Sequence, residues 1–320
     1  MKLKKVLIIG GLGYIGSVLY PLMQNEKWSV NIFDNHLYKD LKPVHPYIEG
    51  DIRDIKQLED SIKRFDVIVN LAAIVGNPGC LVDTELAIDI NCIGARKIAE
   101  TCKKYDKKII QISTCSIYGS ETDRIVKETD LAFPVDFYGQ NKYHQERIIR
   151  ETCKENCCVL RLGTVYGLSP RMRYDLVINL FTGKAINQGK IVVYGGAQRR
   201  PFVHIKDVCR AIIYVIKNNL HGIYNVPGTN INMLDLAKIV KEVSNCKIEI
   251  KEDITDKRSY FADGTKIKNT GFEFKYSIRD GIEEISRSST INHMNEQIYS
   301  NFLLCEFIHL SKDLKDKNPK

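Results

Sequence analysis

Short apolar runs rich in β-branched residues alternate along the chain with longer amphipathic stretches. Val6–Gly10, Val30–Asp34, Val67–Asn70, Ile109–Ser113, Cys158–Leu162 and Ile223–Val226 read as strands, and the alternation predicts a parallel sheet with helices on both faces. From Thr84 to Cys102, the residues Ala87, Ile90, Gly94 and Ile98 fall on one helical face. The stretch Tyr138–Cys153 carries its own periodic apolar positions, so both segments should be helices. Beyond Gly167 the pattern loosens. Pro170, Gly183, Gly189, the pair Gly195-Gly196 and Pro201 punctuate short elements there, marking a switch to a second, smaller region.

Phe202–Asn218 and Ile223–Val226 are regular enough to return to the main sheet. The expected organisation is therefore a first domain of residues 1–166 with 201–228 returning to it, and a discontinuous substrate region of 167–200 and 229–285. Residues 286–320 are left as a tail. It holds one apolar stretch, Ile298–Leu310, and a charged end, and is expected to be loosely attached with at most one helix.

Composition narrows the class. A chain of 320 residues with 44% hydrophobic and 27% charged residues can bury two domain cores without staples. Nothing approaches the roughly 18 apolar residues of a membrane span, and the basic start leads straight into the first strand, so a cytoplasmic protein away from membranes is expected. The net charge of +8 is spread along the chain with no basic block. That argues against nucleic acid as a partner and suits an anionic small molecule. The ten cysteines show no CxxC pairing and read as reduced thiols. No His/Cys/Asp cluster has metal-ligand spacing, so no metal is expected.

Gly10-Gly11-Leu12-Gly13-Tyr14-Ile15-Gly16 follows the first strand directly and opens a helical pattern. Glycines are needed there for a tight turn, for close approach of a pyrophosphate to the backbone, and for packing of helix on strand, with the helix N-terminus aimed at the anion. This is the signature of a Rossmann-type, doubly wound α/β sheet that binds a dinucleotide. The second strand ends in Asp34, eighteen residues after Gly16. A carboxylate there would accept hydrogen bonds from an adenosine ribose and repel a 2′-phosphate, favouring NAD over NADP. Asp51 and Ile52, in Gly50-Asp51-Ile52-Arg53-Asp54, are further cofactor candidates, with helix capping the competing role for Asp51.

Tyr138 and Lys142 stand four apart and share one face of their helix. An ammonium so placed can lower the phenol pKa from about 10, which makes Tyr138 a candidate general base. The strand Ile109–Ser113 runs into Thr114-Cys115-Ser116, which puts hydroxyls at the C-terminal end of a sheet strand, where open α/β sheets bind ligands.

Together these features resemble the extended short-chain dehydrogenase/reductase family, the NAD-dependent nucleotide-sugar epimerases and dehydratases. The resemblance spans about Lys4 to Ile285. Besides the residues above it is carried by Leu71-Ala72-Ala73, Tyr118-Gly119, Tyr138-Gly139-Gln140-Asn141-Lys142, Arg161-Leu162-Gly163-Thr164-Val165-Tyr166-Gly167, Arg200-Pro201-Phe202-Val203-His204 and Asp207. It implies that Tyr138 removes a proton from a sugar hydroxyl, that Thr114 bonds the same oxygen, and that Lys142 also holds the nicotinamide ribose. Leu71, Ala72 and Ala73 would lie along NAD with the glycine-run residues Gly10, Gly13, Tyr14, Ile15 and Gly16. Arg200 would grip the diphosphate of a nucleotide-sugar substrate, and His204 would be a structural hydrogen-bonder. A homodimer formed through the helices around 84–102 and 138–153 is a further implication.

Departures from the family pattern narrow the chemistry. Members that eliminate water carry Asp-Glu directly after the threonine; Cys115 and Ser116 stand there, which disfavours 4,6-dehydration. Reductase-epimerases carry a cysteine where this chain has Ser116, which disfavours double epimerisation. What remains is hydride transfer at the sugar C4, either as epimerisation or as net oxidation to a 4-keto sugar. The net-oxidation alternative is kept by the segments Ser169–Val177 and Asp256–Tyr260, which look like a subgroup that includes GDP-heptose 4-dehydrogenases. Arg171, Arg173 and Arg258 in these segments, with Ser116, are candidate substrate contacts. A non-catalytic NAD-binding scaffold is the alternative of another class.

Overall fold

A computed structural model describes residues 3–37, 42–252, 256, 258–294 and 299–301. Seven strands form one sheet: β1 (Lys5–Ile9), β2 (Ser29–Asp34), β3 (Ile48–Glu49), β4 (Val67–Asn70), β5 (Lys108–Thr114), β6 (Cys157–Leu162) and β7 (Gly222–Val226). Their spatial order is β7-β6-β5-β4-β1-β2-β3, and every pairing is parallel. Each of the six predicted strands is present, its ends within one residue of expectation. The two-residue β3 was not foreseen.

Successive side chains point to opposite faces of the sheet, so its apolar strands feed two cores. On one face Val6, Ile8, Ile32, Val69 and Ile110 pack with Leu19 and Met23 of α1 (Gly16–Asn25) and with Val208 and Ile212 of the helix Ile205–Lys217. On the other face Leu7, Ile9, Phe33, Ile68 and Ile109 meet Leu58, Ile62, Ile98 and Ile149. Strand order reverses at β1 and β4, which opens the crevice at their C-terminal ends where doubly wound sheets hold ligands.

The segment predicted as one helix from Thr84 to Cys102 runs as Thr84–Ile88, a wide turn at Asp89–Gly94 and Ala95–Lys104. Ala87, Ile90, Gly94 and Ile98 are all buried. The second predicted helix is α2 (Phe137–Cys153).

Smaller sheets stand beside the large one. Arg199–His204 pairs parallel with Thr164–Tyr166 and antiparallel with Thr229–Asn232. Lys190–Tyr194 pairs with Lys247–Lys251, and Ser120–Val126 with Ser259–Ala262. Tyr166, Ile178, Phe181, Val193, Phe202, Leu236, Val240 and Ile282 share a core between these strands and the helices Val177–Gln188, Met233–Ser244 and Ile278–Ser286. The reading of Phe202 onward as a return to the main sheet needs correction. Its strand joins the three-stranded sheet, and the return begins at Ile205. The Gly163 N–H still donates to the Val226 carbonyl at 3.0 Å, and from Thr164 onward the chain pairs instead with Phe202, Val203 and His204.

The tail also departs from expectation over its described part. Ile291 and Met294 are buried against Tyr14, Met172, Tyr174, Ile205 and Ile285. The Tyr299 carbonyl accepts the Tyr174 N–H at 2.8 Å, with the two rings edge to face. Apolar residues spaced three apart found an apolar surface, so this stretch is docked. Of the apolar stretch Ile298–Leu310, residues 298 and 302–310 lie outside the described residues, as does Cys305. The other nine cysteines are buried and in no disulfide, as the reduced-thiol reading expects. No described helix is long and apolar enough to cross a membrane.

Candidate active site

A cavity of about 1000 Å³ opens at the switch point between β1 and β4. Its floor is the glycine run. Gly10 has φ of +77°, its N–H donates to the Phe33 carbonyl, and a Cβ on it would lie 2.6 Å from the Ala72 nitrogen. A Cβ on Gly16 would lie 2.3 Å from the Gly11 carbonyl oxygen, so the helix rests directly on the loop. Beside Gly13 the nearest atom to such a Cβ is 3.5 Å away, which leaves room for a ligand against the backbone. No side chain caps α1; the Ser17, Val18 and Leu19 N–H groups are taken by the Gly13 and Ile15 carbonyls, and the positive end of the helix dipole lies at the cavity floor. These are the features a dinucleotide pyrophosphate requires, and the residues present fit NAD.

Asp34 ends β2 at the rim of this floor. Its carboxylate accepts the Leu12 N–H at 3.0 Å and the His36 N–H at 2.8 Å, tying the strand to the loop while it lines the cavity. Leu71, Ala72 and Ala73 form the wall beyond β4, and Gly50 and Ile52 the far edge. Asp51 is the one predicted site residue that does not line the cavity. Its carboxylate is closed on Arg53, with Nη2 at 2.7 Å. Nor does it cap a helix, since Asp54 performs that task for Ile55–Ile62.

The reacting groups come from β5 and α2. Thr114 ends β5; its Oγ1 accepts the Ser116 N–H and donates to Ser116 Oγ, both at 3.1 Å. Arg258 and Tyr260 also donate to Ser116 Oγ, at 3.4 and 3.5 Å. Cys115 points the other way: fully buried, its thiol donates to the Arg161 carbonyl at 3.2 Å, and burial pushes its pKa up. Asp136 caps α2 by accepting the Gly139 N–H at 2.7 Å, and it also pairs with Arg258 at 3.3 Å. This fixes the first turn of α2 and with it Tyr138. One turn on, Lys142 is 4% exposed, and its ammonium donates to the Ile112 carbonyl at 2.8 Å and to Gln145 Oε1.

The electrostatics correct one expectation. Burial pushes the Tyr138 pKa up, and the cations that pull it back are Arg173 and Arg258 rather than Lys142. Burial also lowers Lys142, to about 8. The ammonium is turned toward β5 and Gln145, so the protein alone does not deliver the tyrosinate that the four-residue spacing suggested.

The four candidate arginines all line the cavity. Arg171 is buried. Arg173 is paired with Asp175 through both oxygens, at 3.1 and 2.8 Å. Arg200 and Arg258 share Asp256, at 2.9 and 2.8 Å, and the two guanidinium groups hold its carboxyl well below the usual carboxylate range despite burial. Arg200 is thus an interior residue. His204 plays the expected structural part: its Nδ1 caps the helix Ile205–Lys217, and its Nε2 meets Glu284 at 3.1 Å. Sequence reasoning missed Asp175 and Asp256, although each stands two residues from a candidate arginine. It also missed Lys184, Gln198 and the tail residues Tyr299, Ser300 and Asn301, all of which line the cavity. No spacing or periodicity in the sequence links the tail to the site.

Comparison with known proteins agrees with this geometry. The model of the NAD dependent epimerase/dehydratase family matches residues 6–227. The low-salt glycan biosynthesis protein Agl12 of Haloferax volcanii is 31% identical over 302 residues, covering 87% of this chain and 96% of its own. A putative UDP-glucose 4-epimerase of Methanocaldococcus jannaschii is 27% identical, over 88% of this chain and 96% of its own. The structure of Thermotoga maritima UDP-glucose 4-epimerase with UDP-glucose superimposes with a TM-score of 0.77 at 26% identity, covering 88% of this chain and 97% of that one. The chain is therefore a member of the NAD dependent epimerase/dehydratase family, built on its α/β Rossmann-like sheet with smaller mixed sheets toward the C-terminus. Its cofactor is NAD.

Proposed function

We propose that this protein is an NAD-dependent nucleotide-sugar 4-epimerase. The observation that carries the reading is that Thr114, Tyr138 and Lys142 line the same cavity as the glycine run while Cys115 faces the core, leaving no acidic pair beside the threonine. The relatives named for UDP-glucose 4-epimerisation support it. Bound NAD would supply a reversible hydride acceptor, so that hydride removed from one face of the sugar C4 could be given back to the other. Tyr138 Oη accepts the proton of the C4 hydroxyl and gives it back. Thr114 Oγ1 bonds the same oxygen, and the Lys142 ammonium holds the nicotinamide ribose. Asp34 receives the adenosine ribose and Arg200 the substrate diphosphate, with Arg171, Arg173, Arg258 and Ser116 as further substrate contacts. Ser116, a hydroxyl without acid strength, does not replace the dehydratase acids, so 4,6-dehydration stays disfavoured.

A second reading is net oxidation to a 4-keto sugar, kept by the likeness of the segments Ser169–Val177 and Asp256–Tyr260 to a subgroup that includes GDP-heptose 4-dehydrogenases; their Arg171, Arg173 and Arg258 line the cavity. The two differ in whether NAD is recycled in place. We also propose a cytoplasmic homodimer that pairs through Thr84–Lys104 and α2.

Mass spectrometry of the small molecules released on denaturing fresh protein tests the recycled-cofactor reading. Bound NAD or NADH is expected, and an empty protein would shift weight to a dehydrogenase with dissociable coenzyme. Tyr138→Phe should lower turnover of an identified nucleotide sugar by roughly 10²–10⁴-fold, the range of general acid–base catalysis. Unchanged turnover would sink the assignment of Tyr138.

A further inference from the structure

Behind Lys142 lies a continuous buried chain of amides to which the proposed reaction gives no role. It starts at the cofactor wall, where Asn70 Oδ1 accepts the Ala72 N–H at 3.2 Å. Asn70 Nδ2 donates to Gln111 Oε1 at 2.8 Å. Gln111 Nε2 then donates to the Ile112 carbonyl at 2.7 Å and to Gln145 Oε1 at 3.0 Å. Lys142 Nζ donates to these same two oxygens. None of the four side chains is more than 4% exposed.

The direction of this chain is set by charge. Gln145 Oε1 serves two donors, while its Nε2 is buried without a hydrogen-bond partner. A buried amide donor left unmade is costly. Reversing the Gln145 amide would turn its N–H groups against an ammonium and against the Gln111 donor, which costs more. The observed orientation is therefore the one that serves a protonated Lys142.

We propose that Gln145, backed by Gln111 and Asn70, is a positioning residue that holds Lys142 as an ammonium against β5 beside Tyr138. The proposal rests on Lys142 belonging to the reacting set. The other groups that face Lys142 are the thiols of Cys80, from Asn77–Val82, and Cys92, from the wide turn, together with Glu146 on α2 itself. Glu146 is engaged with Arg161 at 2.6 Å. Gln145 supplies the side-chain acceptor on the ammonium. Burial lowers the Lys142 pKa to about 8, and without this acceptor it should fall further.

The test is an NMR titration of the full-length protein labelled with ¹³Cε-lysine, with the Lys142 signal identified by its loss in Lys142→Met. Gln145→Met keeps the length and removes the acceptor; its Lys142 midpoint should drop by roughly one to two pH units, the worth of a hydrogen bond to a charged group. Gln145→Glu keeps the acceptor and adds charge, and its midpoint should rise above wild type. Midpoints equal to wild type in both variants would overturn the proposal. If Gln145→Met does not fold, an unshifted or lowered midpoint in Gln145→Glu does so alone. On an identified substrate, the alkaline limb of kcat should follow these midpoints with KM little changed. Shifted midpoints with an unmoved kcat profile would instead overturn the catalytic reading of Lys142 and leave its tether to Gln145 standing.

Discussion

Burial presses on Tyr138 and Lys142 in opposite senses: each is pushed toward its uncharged form, the phenol upward and the amine down to about 8. The sign for activity follows. Below about pH 8 Lys142 is an ammonium, the form that would hold the nicotinamide ribose through a charge-assisted bond. As pH rises through 8 it becomes a neutral amine and that bond weakens, so kcat should decline on the alkaline side, well before an ordinary lysine would titrate. A kcat profile flat from pH 7.5 to 9.5 would contradict this. The glycine run makes a prediction of another kind. Gly16→Ala would drive a methyl group to 2.3 Å from the Gly11 carbonyl. It should cost about 1–3 kcal/mol of stability by overpacking, read by denaturant unfolding, and should weaken NAD binding, read by calorimetry. At this scale the sequence was most informative about which residues meet at the cavity, as Gly10, Gly16, Asp34, Tyr138 and Lys142 do. It was least so for Asp51, whose partner Arg53 stands two residues away and takes the carboxylate out of the cavity.

Among the elements, α2 does most to position the chemistry. One of its faces carries Tyr138 and Lys142, and the same helix carries Glu146, fully buried, whose carboxylate accepts from Arg161 on β6 at 2.6 Å and from Ser113 on β5 at 2.9 Å. Arg161 also donates to Tyr118 at 2.7 Å. Glu146→Ala would leave Arg161 buried without its counter-ion and should cost about 3–5 kcal/mol, measured by denaturant unfolding. A loss under 1 kcal/mol would show that this ion pair does not hold α2 to the sheet. Six strands of the large sheet were legible because burial fills them with apolar residues, whereas β3, with two residues, carries no such run. The short strands Thr164–Tyr166, Thr229–Asn232 and Ser259–Ala262 were not, since three or four residues carry no period. The wide turn at Asp89–Gly94 was hidden for a related reason: a single inserted residue shifts the helical face too little to disturb the pattern of Ala87, Ile90, Gly94 and Ile98.

At the scale of the whole molecule, the cavity is assembled from segments far apart in sequence, including Tyr299–Asn301, which the family match at residues 6–227 does not reach. Sequence patterning cannot see such long-range closure, because each piece is locally unremarkable. Ile88 and Ile93 are exposed on the Thr84–Lys104 stretch of the single chain, the surface that the proposed dimer would cover. Sedimentation should give about twice the 36.6 kDa chain mass, and a monomer at micromolar concentration would contradict it. The central claim is that one site removes and restores hydrogen at the sugar C4. The direct measurement is ¹H NMR of a nucleotide-sugar panel incubated with the protein, with absorbance at 340 nm followed in parallel. The expected result is interconversion of a pair of C4 epimers with no net NADH, abolished by Tyr138→Phe. NADH accumulating in step with a 4-keto product, or no change in any nucleotide sugar, would contradict the account.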